Sequence, residues 1–412
     1  MEKIKHLTVS SPQGICGDLR KESRFVFNYT ASERSREVSL TMPIRAESYS
    51  SGALLPVFEM NKPEGYLLSK IEEAFAKIGR LDDMALLALT GGTQIGRLSY
   101  ALPGAKEGRR RAQIGRKELL ARRHTAQLFD ELVAIYFESG ISGVQPKVLL
   151  PDADSVRLDS RATVVHADLI VKASGLEFPL LTENEFLCMS AARRAGLPVP
   201  DFDLSEDGGL FVCKRFDLGP GQPLGFEDMA VLMGKPGRGK YEGSYEGIAR
   251  AIRVYCADAD PLAQLRRFFE YVTCLVMVRN GDGHLKNFGL LYEHPDLPAA
   301  VRLAPLFDVV TTSIYDLSAG TRRIAKYDRT LALNLAKSRQ YPDRRTLLRF
   351  AGEVCEVRDP QAVIERIGDA MSETLDVERG RVHSELLAAL RKEWDAGRES
   401  LQPVRVFGPA VT

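Results

Sequence analysis

Between Gln264 and Asn280 the chain reads QLRRFFEYVTCLVMVRN, and the next residues are GDGHLKNFGLLY. The first stretch is a long helical run, apolar over most of its circumference, and such a helix is at home only in the middle of a packed lobe. Behind it a polar loop passes directly into strand-forming residues. Whatever fold this chain adopts must hold a charged loop on the end of a deeply buried helix.

Four units are expected along the chain. Residues 1–103 form a β-rich module, in which HLTVSS, RFVFNYT and EVSLTMPI are strand-like and EGYLLSKIEEAFAKIGRLDDMALLALT makes two short helices broken near Gly79. Residues 104–123 form a basic connector, with Lys106, Arg109, Arg110, Arg111, Arg116, Lys117, Arg122 and Arg123 against Glu107 and Glu118. A solvated linker is its ordinary explanation, and contact with nucleic-acid phosphates the functional one.

Residues 124–218 read as an α/β unit. A helix from about Lys117 to Phe137 leads to a glycine-containing turn, Ser139 to Gln145. VVHADLIVK then reads as one buried strand ending on Lys172, and TENEFLCMSAARRAGL as a helix whose Thr182 and Glu185 make a capping box and whose Gly196 and Pro198 stop it. GGLFVCKRFD supplies a further strand. Residues 219–412 read as a helical lobe interrupted by one hairpin near 287–310, with helical pattern resuming over Arg344–Cys355 and Val377–Trp394.

Composition narrows the class. The 412 residues carry 56 basic and 55 acidic side chains, so bulk charge gives no reason to expect a nucleic-acid coat or a membrane-surface binder. Six cysteines stand singly, without metal-ligand spacing, as expected of reduced thiols. The N-terminal residues lack the apolar run of a secretory signal and no later run is long enough to span a bilayer, so a cytoplasmic protein with no membrane partner is expected.

The chemistry-bearing residues lie around the polar loop. Asp282 and Asn287 are five apart, the spacing of the Asp and Asn in a protein-kinase catalytic loop, where the Asp accepts a hydroxyl proton and the Asn binds magnesium. Between them Lys286 is placed to balance phosphate charge. Asp308, in VRLAPLFDVV, should return on the strand pairing with NFGLLY and bring a second hard oxygen ligand beside Asn287. Lys172 is placed like the phosphate-binding strand lysine of a kinase, and Glu185 like its helix partner. In the turn upstream, Gly140 and Gly143, followed by Val144 and Gln145, would let backbone N–H groups approach an anion. Each residue alone has a plain structural alternative: a strand-end lysine, a helix-start carboxylate, a turn Asp. His284 fits a loop-orienting role better than an acid/base one. Their order along the chain is what makes the set informative.

SGVQPKVLL, LTENEFLCMSAARRAGLPVPDFDL, FVCKRFD, EDMAVLMG, KYEGSYEGIARAI, GDGHLKNFGLLY and LAPLFDVVTT, in that order, together resemble the HipA-like serine/threonine kinase toxins. The resemblance implies an α+β, bilobed protein-kinase-like fold, with the β-rich subdomain and the nucleotide lobe packed on an all-helical C-terminal lobe. It implies ATP and magnesium as cofactors, Asp282 as catalytic base, Asn287 and Asp308 as metal ligands, Lys172 on the phosphates, and a hinge from Cys213 to Phe216 at the adenine. It also implies a helix-turn-helix antitoxin as partner, DNA contact only through that antitoxin, and a protein substrate such as an aminoacyl-tRNA synthetase. Where the family commonly has an autophosphorylated serine this chain has Gly140, which leaves Ser142 as the expected autophosphorylation site. The competing reading is a catalytically weak nucleotide-binding co-repressor; a kinase acting on a small molecule is a third.

Overall fold

The computed structural model describes residues 3–76, 81–91, 94–105, 114–121, 128, 131–132, 162–166, 168–175, 178–319, 322–327 and 329–403. Five antiparallel strands, β1 (His6–Ser11), β2 (Gly14–Lys21), β3 (Phe25–Tyr29), β4 (Tyr49–Ser51) and β5 (Ser99–Ala101), form a sheet in the order β4-β3-β2-β1-β5. Alternation along β1 buries Leu7 and Val9 against Leu19, Phe27 and Phe58. β2 contains two glycines and is not among the strand-like stretches of the sequence. Gly17 is needed there because a Cβ would stand 2.1 Å from the Asn28 carbonyl oxygen on β3.

EVSLTMPI, expected as a strand, is irregular. Its backbone donors find scattered partners instead of a ladder: Ile44 N–H donates to Glu37, Leu40 N–H to the buried Glu227, Val38 N–H to the Tyr29 hydroxyl and Thr41 N–H to the Ser39 hydroxyl. The expected pair of helices is present as α2 (Gly65–Phe75) and α3 (Asp83–Thr90), preceded by a single turn, α1 (Pro56–Glu59). Asp82 caps α3 by accepting the Ala85 N–H.

The next sheet, β6-β7-β9-β8, comprises β6 (Ala162–His166), β7 (Leu169–Ala173), β8 (Phe202–Leu204) and β9 (Leu210–Lys214). VVHADLIVK is thus two strands and a turn, not one strand: His166 pairs with Leu169, and Thr163 with Lys172. Leu169, Val171, Ala173, Leu210 and Val212 point to one side, where α2, α3 and α4 (Arg116–Ala121) cover them. On β7, alternation therefore turns Lys172 to the opposite side. There lies α5 (Leu181–Arg194), which ends at Gly196 with φ 73°.

Beyond residue 219 the chain is mainly helical but not wholly so. α7 (Tyr245–Tyr255) and α8 (Pro261–Met277), which follow the short α6 (Met229–Leu232), pack with α10 (Pro360–Val377) and α11 (Ser384–Glu399). Phe268, Val272, Cys274 and Val276 of α8 are fully buried, as the run of apolar residues requires. The expected hairpin is present as β11 (Gly289–Tyr292) with β12 (Arg302–Leu303), and β10 (Gly225–Asp228) joins its other edge.

Two further hairpins, β13 (Asp316–Ala319) with β14 (Arg322–Tyr327) and β15 (Thr330–Leu335) with β16 (Ser338–Gln340), occupy a stretch expected to be helical. The helix expected over Val377–Trp394 begins only at Ser384, since α10 ends at Val377 and 378–383 separate the two. The one expected over Arg344–Cys355 is present as α9 (Arg344–Arg349) continued by a π-helical turn, Phe350–Val354. In α11, Gly397 lets the helix approach α8 so closely that a Cβ would stand 2.0 Å from the Met277 carbonyl oxygen. All six cysteines are buried and unbridged. Among the described residues no helix is long and apolar enough to cross a membrane.

Candidate active site

Lys172 leaves β7 on the face away from the covering helices and meets two carboxylates. Its ammonium donates to Glu185 Oε1 at 2.5 Å and to Asp308 Oδ1 at 2.8 Å. Asp308 Oδ2 in turn accepts from the Asn287 side-chain amide at 3.0 Å. Four residues expected from the sequence to act together are thus joined in one chain of contacts, linking β7, α5, the polar loop and the segment after β12. Asp308 stands at φ 58°, a left-handed conformation that Asp tolerates better than most residues. It lies five residues past the two-residue β12, in an extended segment beyond the strand's end.

Glu185 does not serve a capping box. The residue before α5, Leu180, has no capping side chain and a φ of 58°. Thr182 Oγ1 donates instead to the Gly208 carbonyl at 2.7 Å, and Glu183 accepts from the His383 N–H at 2.7 Å and meets the ring Nδ1 at 2.6 Å. Asn184 and Thr311 exchange two bonds, amide to carbonyl at 3.0 Å and N–H to amide oxygen at 2.9 Å. Thr182, Glu183, Asn184 and Glu185 are at most 3 % exposed, and each is committed to a different partner.

The polar loop is braced from the same direction. The Gly281 N–H donates to Thr312 Oγ1 at 2.7 Å, and the indole of Trp394 donates to Thr311 Oγ1 at 2.8 Å. Within the loop, Asn280 accepts the Asp282 N–H and Asn287 accepts the His284 N–H, so both amides fix backbone. Tyr241 donates its hydroxyl to Asp282 Oδ1 at 2.8 Å, and its ring meets that of His284 edge-on at 5.1 Å. Burial pushes the His284 imidazole below its usual range against the pull of Asp282. Its Nδ1 is buried without a protein hydrogen-bond partner.

Lys286 turns to the N-terminal module, where it donates to Glu64 Oε1 at 2.6 Å. Cys213 sits in β9 opposite Ile170, its thiol pushed up to about 12 by burial. Phe216 packs its ring on Phe307, the residue before Asp308, at 5.2 Å, and on Phe226 at 5.4 Å. Between Cys213 and these rings, Arg215 is paired with Asp217 at 2.6 Å and donates to the Gln94 carbonyl, while the Gly96 N–H donates to Asp217 at 2.7 Å. Gly140, Ser142, Gly143, Val144 and Gln145 lie outside the described residues. Sequence reasoning missed Glu64, Asn184, Tyr241 and Thr311. Each lies inside a stretch singled out in the sequence, EGYLLSK, LTENEF, KYEGSYEG and LAPLFDVVTT respectively, but none has a spacing that marks it as part of the site.

The donors fit magnesium. Asp308 and Asn287 present a carboxylate and an amide side by side, a hard oxygen set. No group of three or more His, Cys, Asp or Glu suited to a metal occurs among the described residues. Asn287 Oδ1 lies on the His284 N–H, so ligation requires its amide to turn.

A sheet lobe carrying a lysine–glutamate pair, set against a largely helical lobe that offers an Asp/Asn loop and a hairpin aspartate, is a bilobed protein-kinase-like fold. The chain belongs to the HipA-like family: it matches the HipA-like C-terminal domain over residues 139–376 and the HipA N-terminal domain over residues 7–101. It shares the fold of HipA from Shewanella oneidensis MR-1, solved with HipB and operator DNA, at a TM-score of 0.69, 16% identity and coverage of 95% of this chain and 96% of that one.

Among curated relatives, Y4dM of Sinorhizobium fredii, named a candidate kinase, is 31% identical over 161 residues, which are 35% of this chain and 38% of that protein. A candidate kinase of Haemophilus influenzae is 33% identical over 190 residues, 42% of this chain and 53% of its own length. The matches thus span about half or less of these two relatives.

Proposed function

We propose that this protein is a HipA-type kinase that transfers the γ-phosphoryl group of ATP to a serine or threonine hydroxyl of a protein. The observation that carries this reading is the continuous contact chain Glu185–Lys172–Asp308–Asn287, with Asp282 at the head of the same loop. Glu185 orients the Lys172 ammonium, which binds nucleotide phosphates. Asp282 receives the proton of the acceptor hydroxyl. Asn287 and Asp308 would hold magnesium, which when bound neutralises charge on the phosphate oxygens. Catalysis on this arrangement is positioning and electrostatics, with no covalent role for the protein.

Further parts of the reading rest on the family. Residues 1–103, 124–218 and 219–412 are proposed as its three structural units and 104–123 as their connector. A helix-turn-helix antitoxin is the proposed partner, with DNA met through it, supported by the Shewanella relative having been solved with HipB and operator DNA. The proposed substrate is a translation factor such as an aminoacyl-tRNA synthetase, and Ser142 the proposed autophosphorylation site.

The test is incubation of the protein and its Asp282→Asn variant with γ-labelled ATP and magnesium in a bacterial lysate. Label on the protein itself or on one host protein, strong for the wild type and at least about a hundredfold weaker for the variant, is expected. Equal labelling, or none, would favour a nucleotide-binding co-repressor.

A further inference from the structure

Asp282 offers two carboxylate oxygens, and a base that takes a proton from an acceptor hydroxyl needs one of them held free and correctly aimed. Oδ1 is already engaged: the Tyr241 hydroxyl donates to it at 2.8 Å. The tyrosine is not a passing contact. Its segment is fastened to the same loop by the Leu285 N–H, which donates to the Lys240 carbonyl at 3.0 Å. Its own carbonyl accepts from Arg339 at 2.7 Å, and its ring meets His284 edge-on. Backbone, ring and hydroxyl of Tyr241 are thus all tied to the loop or its surroundings.

We propose that Tyr241 is the positioning residue for Asp282, its phenol pinning Oδ1 so that Oδ2 faces the acceptor. This rests on the kinase reading and adds a residue to it. In the step, the acceptor oxygen forms a bond to the γ-phosphorus of ATP while its proton passes to Asp282 Oδ2. The bond from that phosphorus to the β,γ-bridging oxygen breaks, and its electron pair leaves with ADP. Tyr241 keeps its proton throughout. A hydrogen bond to an ionised carboxylate is among the stronger ones, so its loss should be visible in the rate.

The experiment measures initial rates of phosphate transfer from γ-labelled ATP to total bacterial lysate protein, with magnesium, for the wild type, Y241F, D282N and the double variant Y241F/D282N. Y241F keeps the ring that packs on His284 and removes only the hydroxyl. The expected result is a fall of about tenfold in kcat for Y241F with the KM for ATP unchanged. In the D282N background the same change should cost nothing further, because the carboxylate it serves is gone. A merely structural tyrosine would lower both backgrounds alike, and that outcome overturns the proposal. So does a Y241F rate equal to or above that of the wild type, the latter meaning that the phenol occupies the acceptor's place. A wild type without Asp282-dependent transfer overturns the kinase reading and this role together, whereas an active wild type with an indifferent Y241F overturns this role alone.

Discussion

Two short polar runs supply the site around Lys172 and Asp308, and they differ in how deeply they are buried. Asp282 to Asn287 is a loop braced within itself by the His284 N–H on Asn287 and from outside by Tyr241 on Asp282 and Glu64 on Lys286, and it leaves Asp282 only partly buried. Thr182 to Glu185 opens a helix, and every member is buried and spent on a partner far away in sequence: Gly208, His383, Thr311 and Lys172. The loop carries its meaning in its own spacing, while the helix start carries it in what it reaches. A polar residue is cheap to keep at a cleft, but in the interior each unpaired donor or acceptor costs about 1–3 kcal/mol. The helix run must therefore be structural in energy even where it is functional in position.

That contrast can be tested from its strongest consequence downward. Asp282→Asn should lower phosphate transfer roughly 10²–10⁴-fold. Its unfolding free energy should change by no more than about 0.5 kcal/mol in urea titration, as for a residue outside the packed interior. Asn184→Ala should do the reverse, costing about 2–4 kcal/mol, because it strands both the N–H and the carbonyl of Thr311 in a dry interior. An Asn184→Ala protein as stable as the wild type would break the distinction between the runs.

Glu185→Gln belongs to both sides. It should cost about 1–2 kcal/mol of stability, less than the loss of an only partner since Asp308 still holds Lys172, and should also slow transfer about tenfold. Smallest is Glu64→Gln, which frees Lys286 at the surface and should cost less than about 1 kcal/mol, vanishing in high salt. Burial alone would raise the Glu64 carboxyl, but the charge and hydrogen bond of Lys286, aided by Lys240 and His284, hold it below its usual range. Its contribution is therefore present above the ordinary glutamate range and lost as pH falls through the lowered value, which stability measured across acid pH in wild type and variant will show.

The sequence made the cleft legible where order and spacing suffice. Lys172, Glu185, Asp308 and Asn287 come together as expected because a strand, a helix and a hairpin leave few ways to arrange them. It misled where partners come from afar. EVSLTMPI has the residues of a strand, yet its backbone N–H groups go to side chains such as Tyr29 and Glu227, the latter a carboxylate nearly two hundred residues away. Thr182 and Glu185 have the spacing of a capping box, yet buried polar groups elsewhere claim both. Neither the Glu64–Lys286 pair nor the clamp of Gln94 and Gly96 on the Arg215–Asp217 pair has a local signature. The hairpin inside VVHADLIVK did have one, since Asp168 stands between two β-branched runs where a turn belongs.

Trp394 is the chain's single tryptophan, and its indole N–H rests on Thr311, three residues past Asp308. The protein therefore carries its own optical reporter. Fluorescence excited selectively through tryptophan arises from one ring, in one environment, fastened to the segment that bears the carboxylate at the mouth of the cleft. Any event that reorders that segment, from nucleotide entry to the grip of a partner, will be read in the colour and intensity of a single emitter without a label being attached.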